Sequence, residues 1–181
     1  MLGLMAIDFA GKATNGIAIR SVDNELIYWE NVNYEAESPY HFRKLMMKKI
    51  KDLSEKYIFD TIILERVRMM RGGMVSSMGS IESLTRYQTS LIDNFSEKFD
   101  IFAVDVRSWK KDILGSAKAT KEDSIKYVQE HYPEVNLERV IHHVRKEDEI
   151  VLSHDLADAI CISELINYPR HFVDKNKLNY K

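Results

Sequence analysis

A single cysteine, Cys161, leaves this 181-residue chain without a partner for a disulfide or the set of thiolates a zinc site needs. It falls on the apolar side of a helical pattern, where it reads as a small buried hydrophobe. Long hydrophobic runs are also missing. No window approaches the roughly 18 uninterrupted apolar residues of a membrane span. The short apolar run around Asp8 has no basic segment before it, so no secretion signal is expected and a cytoplasmic location is. Repeats, low-complexity tracts and a Pro/Gly-rich linker are absent, which leaves one domain as the simple reading. Excess charge of one sign is lacking too: the formal net charge of −2 argues against a protein that coats nucleic acid by bulk electrostatics. What is present, 45% hydrophobic and 30% charged residues, suits a globular domain with a sizeable core.

The order of the apolar patterns sets the architecture. LGLMAIDFA, TNGIAIRSV and NELIYWENVNY are three apolar runs separated by the turn-prone clusters GKATN and VDN, and they predict a β-meander. SPYHFRKLMMKKIKDLSEKY opens on a Ser-Pro suited to the N-cap and first helical position, with Phe42, Leu45, Met46, Ile50 and Leu53 at helical spacing. FDTIILERV and DIFAVDV are continuous apolar runs, as strands buried on both faces should be. Between them, after the loop GGMVSSMGS, a helix over 80–99 is expected, with Ile81, Leu84, Tyr87, Leu91 and Phe95 on one stripe and Ser80 as its cap. A further helix opens at Thr120 and closes before Pro133, and a last one covers 153–167. The segment LERVIHHVRKEDEIVLS is too polar to place, and the polar tail over 169–181 is expected to be loosely ordered. The result is an α/β chain: a mixed sheet flanked by helices, with the domain over 1–168 and the tail after it.

Four acids stand out against these patterns. Asp8 lies between Ile7 and Phe9 in the first strand, Glu65 ends a buried strand, and Asp155 and Asp158 lie one turn apart on the last helix. Carboxylates aimed at one point repel one another and are costly to desolvate unless a cation satisfies them. An all-oxygen set selects Mg²⁺, with Mn²⁺ substituting. Two such ions ~3.5–4 Å apart can clamp the attacking water and the leaving oxygen of a phosphodiester. Each acid also has a plainer reading. Asp8 could be a turn residue, Glu65 an ion-pair partner of Arg66 or Arg68, and Asp155 an acid favoured in a helix's first turn near Ser153. His154 reads best as an exposed histidine beside a cap, and the pair His142 and His143 receives no role. Two local basic patches accompany the acids: RVRMMR from Arg66 to Arg71, and RSWKKDILGSAKATK from Arg107 to Lys121, where five cations face Asp112.

Taken together, IDFAGKATNGIAI, IILERV, WKKDILGSAKATKED and HDLADAICI resemble, in order and spacing, the bacterial RuvC-type Holliday junction resolvases of the ribonuclease H-like superfamily, and in particular their small bacteriophage versions. The resemblance covers the chain up to about Ile166. It implies a ribonuclease H-like fold with a mixed five-stranded sheet, and divalent-metal binding by Asp8, Glu65, Asp155 and Asp158. It also implies help at the scissile region from Lys110 and Lys121, and a homodimer that cuts four-way and other branched DNA junctions. The dimer surface expected from the resemblance is the helix over 80–99, and a phage-encoded member would work in the bacterial host cytoplasm. The expected DNA contacts are Arg66, Arg68, Met69, Met70, Arg71, Arg107, Lys110, Lys111, Lys118 and Lys121. One departure is evident: the loop after Glu65 has Arg68, Met69 and Met70 where the family commonly carries a base-stacking aromatic, so sequence preference is not carried over. Two rivals remain at this point, a non-catalytic junction-binding protein of the same fold and an actin-like or kinase-like phosphate-binding enzyme. The second would need another glycine-rich phosphate loop and another lobe.

Overall fold

The computed structural model describes residues 1–9, 15–34, 36–66, 78–141 and 147–178. The loop residues Arg68, Met69, Met70 and Arg71, and His142 with His143, lie outside the described residues. Three antiparallel strands, β1 (Gly3–Phe9), β2 (Asn15–Ser21) and β3 (Leu26–Val32), form the meander expected from their apolar runs. Beyond β1 the sheet continues in parallel with β4 (Thr61–Glu65) and β5 (Asp100–Val104), giving five strands in the order β3-β2-β1-β4-β5. The two parallel crossovers are helical: α1 (Pro39–Lys56) leads into β4 and α2 (Met78–Phe95) into β5. Ser38 caps α1 through its side chain, with Pro39 at the first position, as the Ser-Pro pair predicts.

Alternation along the strands sends side chains to two cores. Met5, Ile7, Ile62, Leu64 and Ile101 face α1 and α2, meeting Phe42, Met46, Ile50, Tyr87, Leu91 and Phe95. Leu4, Ala6, Ala18, Ile63, Phe102 and Val104 face the other way, onto α3 (Val106–Ile113), α4 (Lys121–His131) and α5 (His154–Ser163). By the two-residue period of a strand, Asp8 follows Leu4 and Ala6, and Glu65 follows Ile63, so both acids face α5. Cys161 is fully buried in this second core, as a small hydrophobe.

Two expectations are corrected, and one segment left without an assignment is placed. The helix expected over 80–99 runs Met78–Phe95 and gives way to a turn, although Phe99 remains buried. The polar segment left unplaced forms a hairpin, β6 (Glu138–Ile141) paired with β7 (Glu149–Leu152). Up to residue 178 the tail is not loose. The Leu178 N–H donates to the Ile101 carbonyl, Lys177 bridges to Phe102, and His171 is buried against Asp112. An edge strand with unpaired backbone groups favours such a cover over a solvated tail.

Gly16 lets the last helix reach the sheet. A Cβ there would lie 2.0 Å from the Asp155 carbonyl oxygen and 2.7 Å from the Leu156 Cα, both backbone atoms that cannot rotate away. Gly16→Ala should therefore cost about 3 kcal/mol, because overpacking a rigid contact displaces backbone, and lower Tm by roughly 6–12 °C. A thermal melt coincident with wild type would show that α5 does not pass this close.

Candidate active site

The site is built at the C-terminal ends of the two central strands. Asp8 pairs with Gly16 across the meander, and Glu65 follows Leu64, the parallel partner of Ile7, so the two acids stand side by side. Over Gly16 passes the first turn of α5, capped by the Ser153 hydroxyl, which accepts from the Leu156 N–H. That turn brings Asp155 and Asp158, both buried, over the strand ends. The four acids line one cleft of ≈ 420 Å³ together with Phe9, Lys121, Arg139 and His154.

The closeness of the acids shows in their electrostatics. Burial pushes the Asp8 carboxyl well above its ordinary range, and the charges of Asp158, Glu65 and Asp155 push it further, while Lys121 opposes them. Asp8 is half-buried on the cleft wall. Glu65 is raised chiefly by burial and also by Asp158, against a hydrogen bond from Trp109 and the charges of Lys110 and Lys121. Burial likewise raises Asp158, and Ser124, Lys110, His154 and Lys121 pull it back. Among the described residues the Asp158 Oδ1 and the Ser124 Oγ are each buried without a hydrogen-bond partner of good geometry, although the Ser124 hydroxyl lies near enough to favour the charged carboxylate.

These residues fit a divalent cation by donor chemistry: all-oxygen ligands, four negative charges crowded into one cleft, and, among the described residues, one buried carboxylate oxygen left unsatisfied. Among the described residues, no three acid, histidine or cysteine side chains are already gathered tightly enough to hold a metal. The Asp155 carboxylate is drawn to one side, with its Oδ2 3.4 Å from Arg139 Nη1 and its Oδ1 3.0 Å from His154 Nε2.

No family model matches the chain, and no curated protein does. Solved structures match over nearly its whole length. The Thermus thermophilus RuvC structure aligns with a TM-score of 0.63 at 14% identity, covering 97% of this chain and 98% of that one. T. thermophilus RuvC in complex with a Holliday junction substrate gives 0.67 at 12% identity, covering 98% and 100%. The chain has the RuvC fold, of ribonuclease H-like type.

Within this RuvC fold the remaining sequence-predicted residues separate by position. Lys121, the first residue of α4 after its Thr120 cap, enters the cleft and places its Nζ 2.6 Å from His154 Nε2. Lys110 stands behind Glu65, its Nζ bonded to the Ala119 carbonyl at 2.7 Å and lying over the Trp109 ring. Arg107, Lys111 and Lys118 are exposed on α3 and the loop after it, and none lines the cleft. Arg66 borders the floor beside Asp8 and Glu65, but its guanidinium donates to the carbonyls of Ala103 and Lys175 and to Asn176 Oδ1. The ion pair considered between Glu65 and Arg66 is replaced by a bond from Trp109 Nε1 to Glu65 Oε2 at 3.1 Å. His154, read as an exposed histidine beside a cap, turns inward to Asp155 and Lys121. Trp109, Arg139 and Ser124 are the site residues that sequence reasoning missed. WKKD and LERV carry the first two, but nothing local to either segment points toward the acids.

Proposed function

We propose that this chain is a metal-dependent, structure-selective DNA endonuclease that cuts four-way junctions and related branched DNA, acting as a homodimer with Mg²⁺ and with Mn²⁺ as a substitute. The observation that carries the reading is the cleft in which Asp8, Glu65, Asp155 and Asp158 meet Lys121 at the strand ends of a RuvC fold. Support for the substrate class comes from the likeness to a RuvC described in complex with a Holliday junction substrate. A homodimer suits a two-fold junction, in which two strands of like polarity are nicked.

When bound, divalent cations held by Asp8, Glu65, Asp155 and Asp158 supply the Lewis acidity and positive charge that phosphodiester hydrolysis requires. The chain's own residues do the positioning. Trp109 fixes one oxygen of Glu65, and Gly16 sets the height of Asp155 and Asp158 above Asp8. Lys121 meets a phosphate in the cleft, and Lys110 lowers the cost of charge on Glu65 and Asp158. His154, with Nε2 against both Lys121 and Asp155, holds the two at the cleft wall. Arg107, Lys111 and Lys118 extend a basic path over which the DNA backbone runs, and the segment over 66–74 engages the crossover. Among the described residues no helix is long and apolar enough to cross a membrane.

The deciding experiment incubates the purified protein with a synthetic four-way junction and a linear duplex of the same sequence, with Mg²⁺ or EDTA. Paired nicks in the junction alone, dependent on Mg²⁺, are expected. Junction binding without cleavage in any divalent metal would leave the non-catalytic binder as the correct reading.

A further inference from the structure

Arg139 is a charged cleft residue to which the proposed chemistry gives no task, and its placement is specific. The β6–β7 hairpin is locked in register, with Arg139 opposite Val151 and the Ser153 N–H donating to the Leu137 carbonyl at 2.7 Å. Ser153 is also the cap of α5. One short segment therefore carries the hairpin straight into the acidic helix and sets Arg139 against its first turn. There the guanidinium Nη1 lies 3.4 Å from Asp155 Oδ2, with the arginine side chain 19% exposed and the aspartate 3%. A pair this sheltered from water is poorly screened, and removing the guanidinium weakens the compensation of the Asp155 charge, which His154 Nε2 also faces at 3.0 Å. Among the described residues, Arg139 and Lys121 are the strong bases on the cleft wall facing four carboxylates, and Lys121 is turned to His154.

We infer that Arg139 is the resident counter-cation of Asp155: it occupies that carboxylate in the metal-free protein, competes with the divalent ion for it, and yields it when the ion binds. Arg139 is thus a positioning residue that sets the metal threshold of the site, an inference that rests on the metal-binding reading above. Two ligands that need the same carboxylate oppose each other's binding by a reciprocal coupling, typically 5–150-fold for coupled sites. The hairpin is the element through which that coupling acts, because a shift of β6 moves the guanidinium while β7 and Ser153 hold α5.

The test is Mn²⁺ titration of the full chain by calorimetry, without DNA, for wild type, Arg139→Gln and Arg139→Lys. Arg139→Gln should bind Mn²⁺ roughly tenfold tighter, the scale of such coupling, and Arg139→Lys, which keeps the charge, should stay nearer wild type. Arg139→Gln should also melt lower in EDTA and recover to wild type in saturating Mn²⁺. In an Asp155→Asn background, Arg139→Gln should no longer change Mn²⁺ affinity. Equal or weaker Mn²⁺ binding by Arg139→Gln, or melting lowered equally with and without Mn²⁺, would overturn the inference in favour of a merely structural arginine. Absence of Mn²⁺ binding by wild type itself would instead remove the metal-site reading on which it stands.

Discussion

Asp158→Asn should abolish cutting of a four-way junction, by on the order of a thousandfold, while the protein still binds the junction as well as wild type or better. On the proposed metal-dependent reading, loss of one anionic ligand would remove charge that the cation needs at the reacting phosphate, and a few kcal/mol there is worth that factor. Binding survives because the substitution takes negative charge away from a wall that faces phosphates. The same variant should be more stable in EDTA at neutral pH. Asp158 is a buried acid with Oδ1 unpartnered and its carboxyl held above its ordinary range by burial, and a neutral amide of the same shape relieves about 1 kcal/mol of that cost. Gel cleavage in Mg²⁺, mobility shift in Ca²⁺ and thermal melting in EDTA check the three parts. Wild-type cutting by this variant would remove α5 from the metal site.

The second large effect is a pH dependence that metal erases. Asp8, Glu65 and Asp158 all have carboxyls raised in the folded protein, Asp8 most plainly, by burial first and by neighbouring acids next. For a raised carboxyl the folded state binds the proton more tightly than the unfolded chain, so stability falls as pH rises from the ordinary carboxylate range through the folded value. Each unit of difference is worth about 1.4 kcal/mol. In EDTA, Asp8→Asn should match wild type at low pH, where the native acid is already neutral. It should become progressively more stable than wild type as pH rises toward neutrality. If Asp8 is a metal ligand as proposed, saturating Mg²⁺ should close or invert that gap, because the cation would offset the repulsion in wild type and would lack a ligand in the variant. Urea unfolding at pH 4 to 8, with and without Mg²⁺, measures it. A gap that is constant across the series would mean that Asp8 titrates normally.

Local pattern carried the sequence reading a long way. The continuous apolar runs LGLMAIDFA and FDTIILERV marked two strands with an acid at or near the end of each, and the parallel register of the strands then set Asp8 and Glu65 on one face. The three-residue spacing of Asp155 and Asp158 fixed their common face, and Ser38, Thr120 and Ser153 marked the helix starts. Where polar and apolar residues interleave without a clear period, as in β6 and β7, the pattern was silent, because a short hairpin over a cleft rim has no face fully buried. The tail misled for a related reason: its composition is polar, but its backbone finds partners on β5 and its His171 finds Asp112.

The sequence by itself determined the order of the strands' apolar runs, the burial of Cys161 as a plain hydrophobe, and the four acids at the ends of two strands and on one helix face. Those depend on residues near each other in the chain. Tertiary structure alone decided what surrounds the acids. Trp109 reaches Glu65 across 44 positions, Arg139 reaches Asp155 from a hairpin, and Lys121 meets His154 across 33. It also decided that Gly16 is the spot where α5 crosses the sheet. Such contacts follow from which backbone lies against which. Only the packed sheet and helices settle that, because apolar burial is non-directional and leaves the meeting of individual polar groups to the geometry it creates.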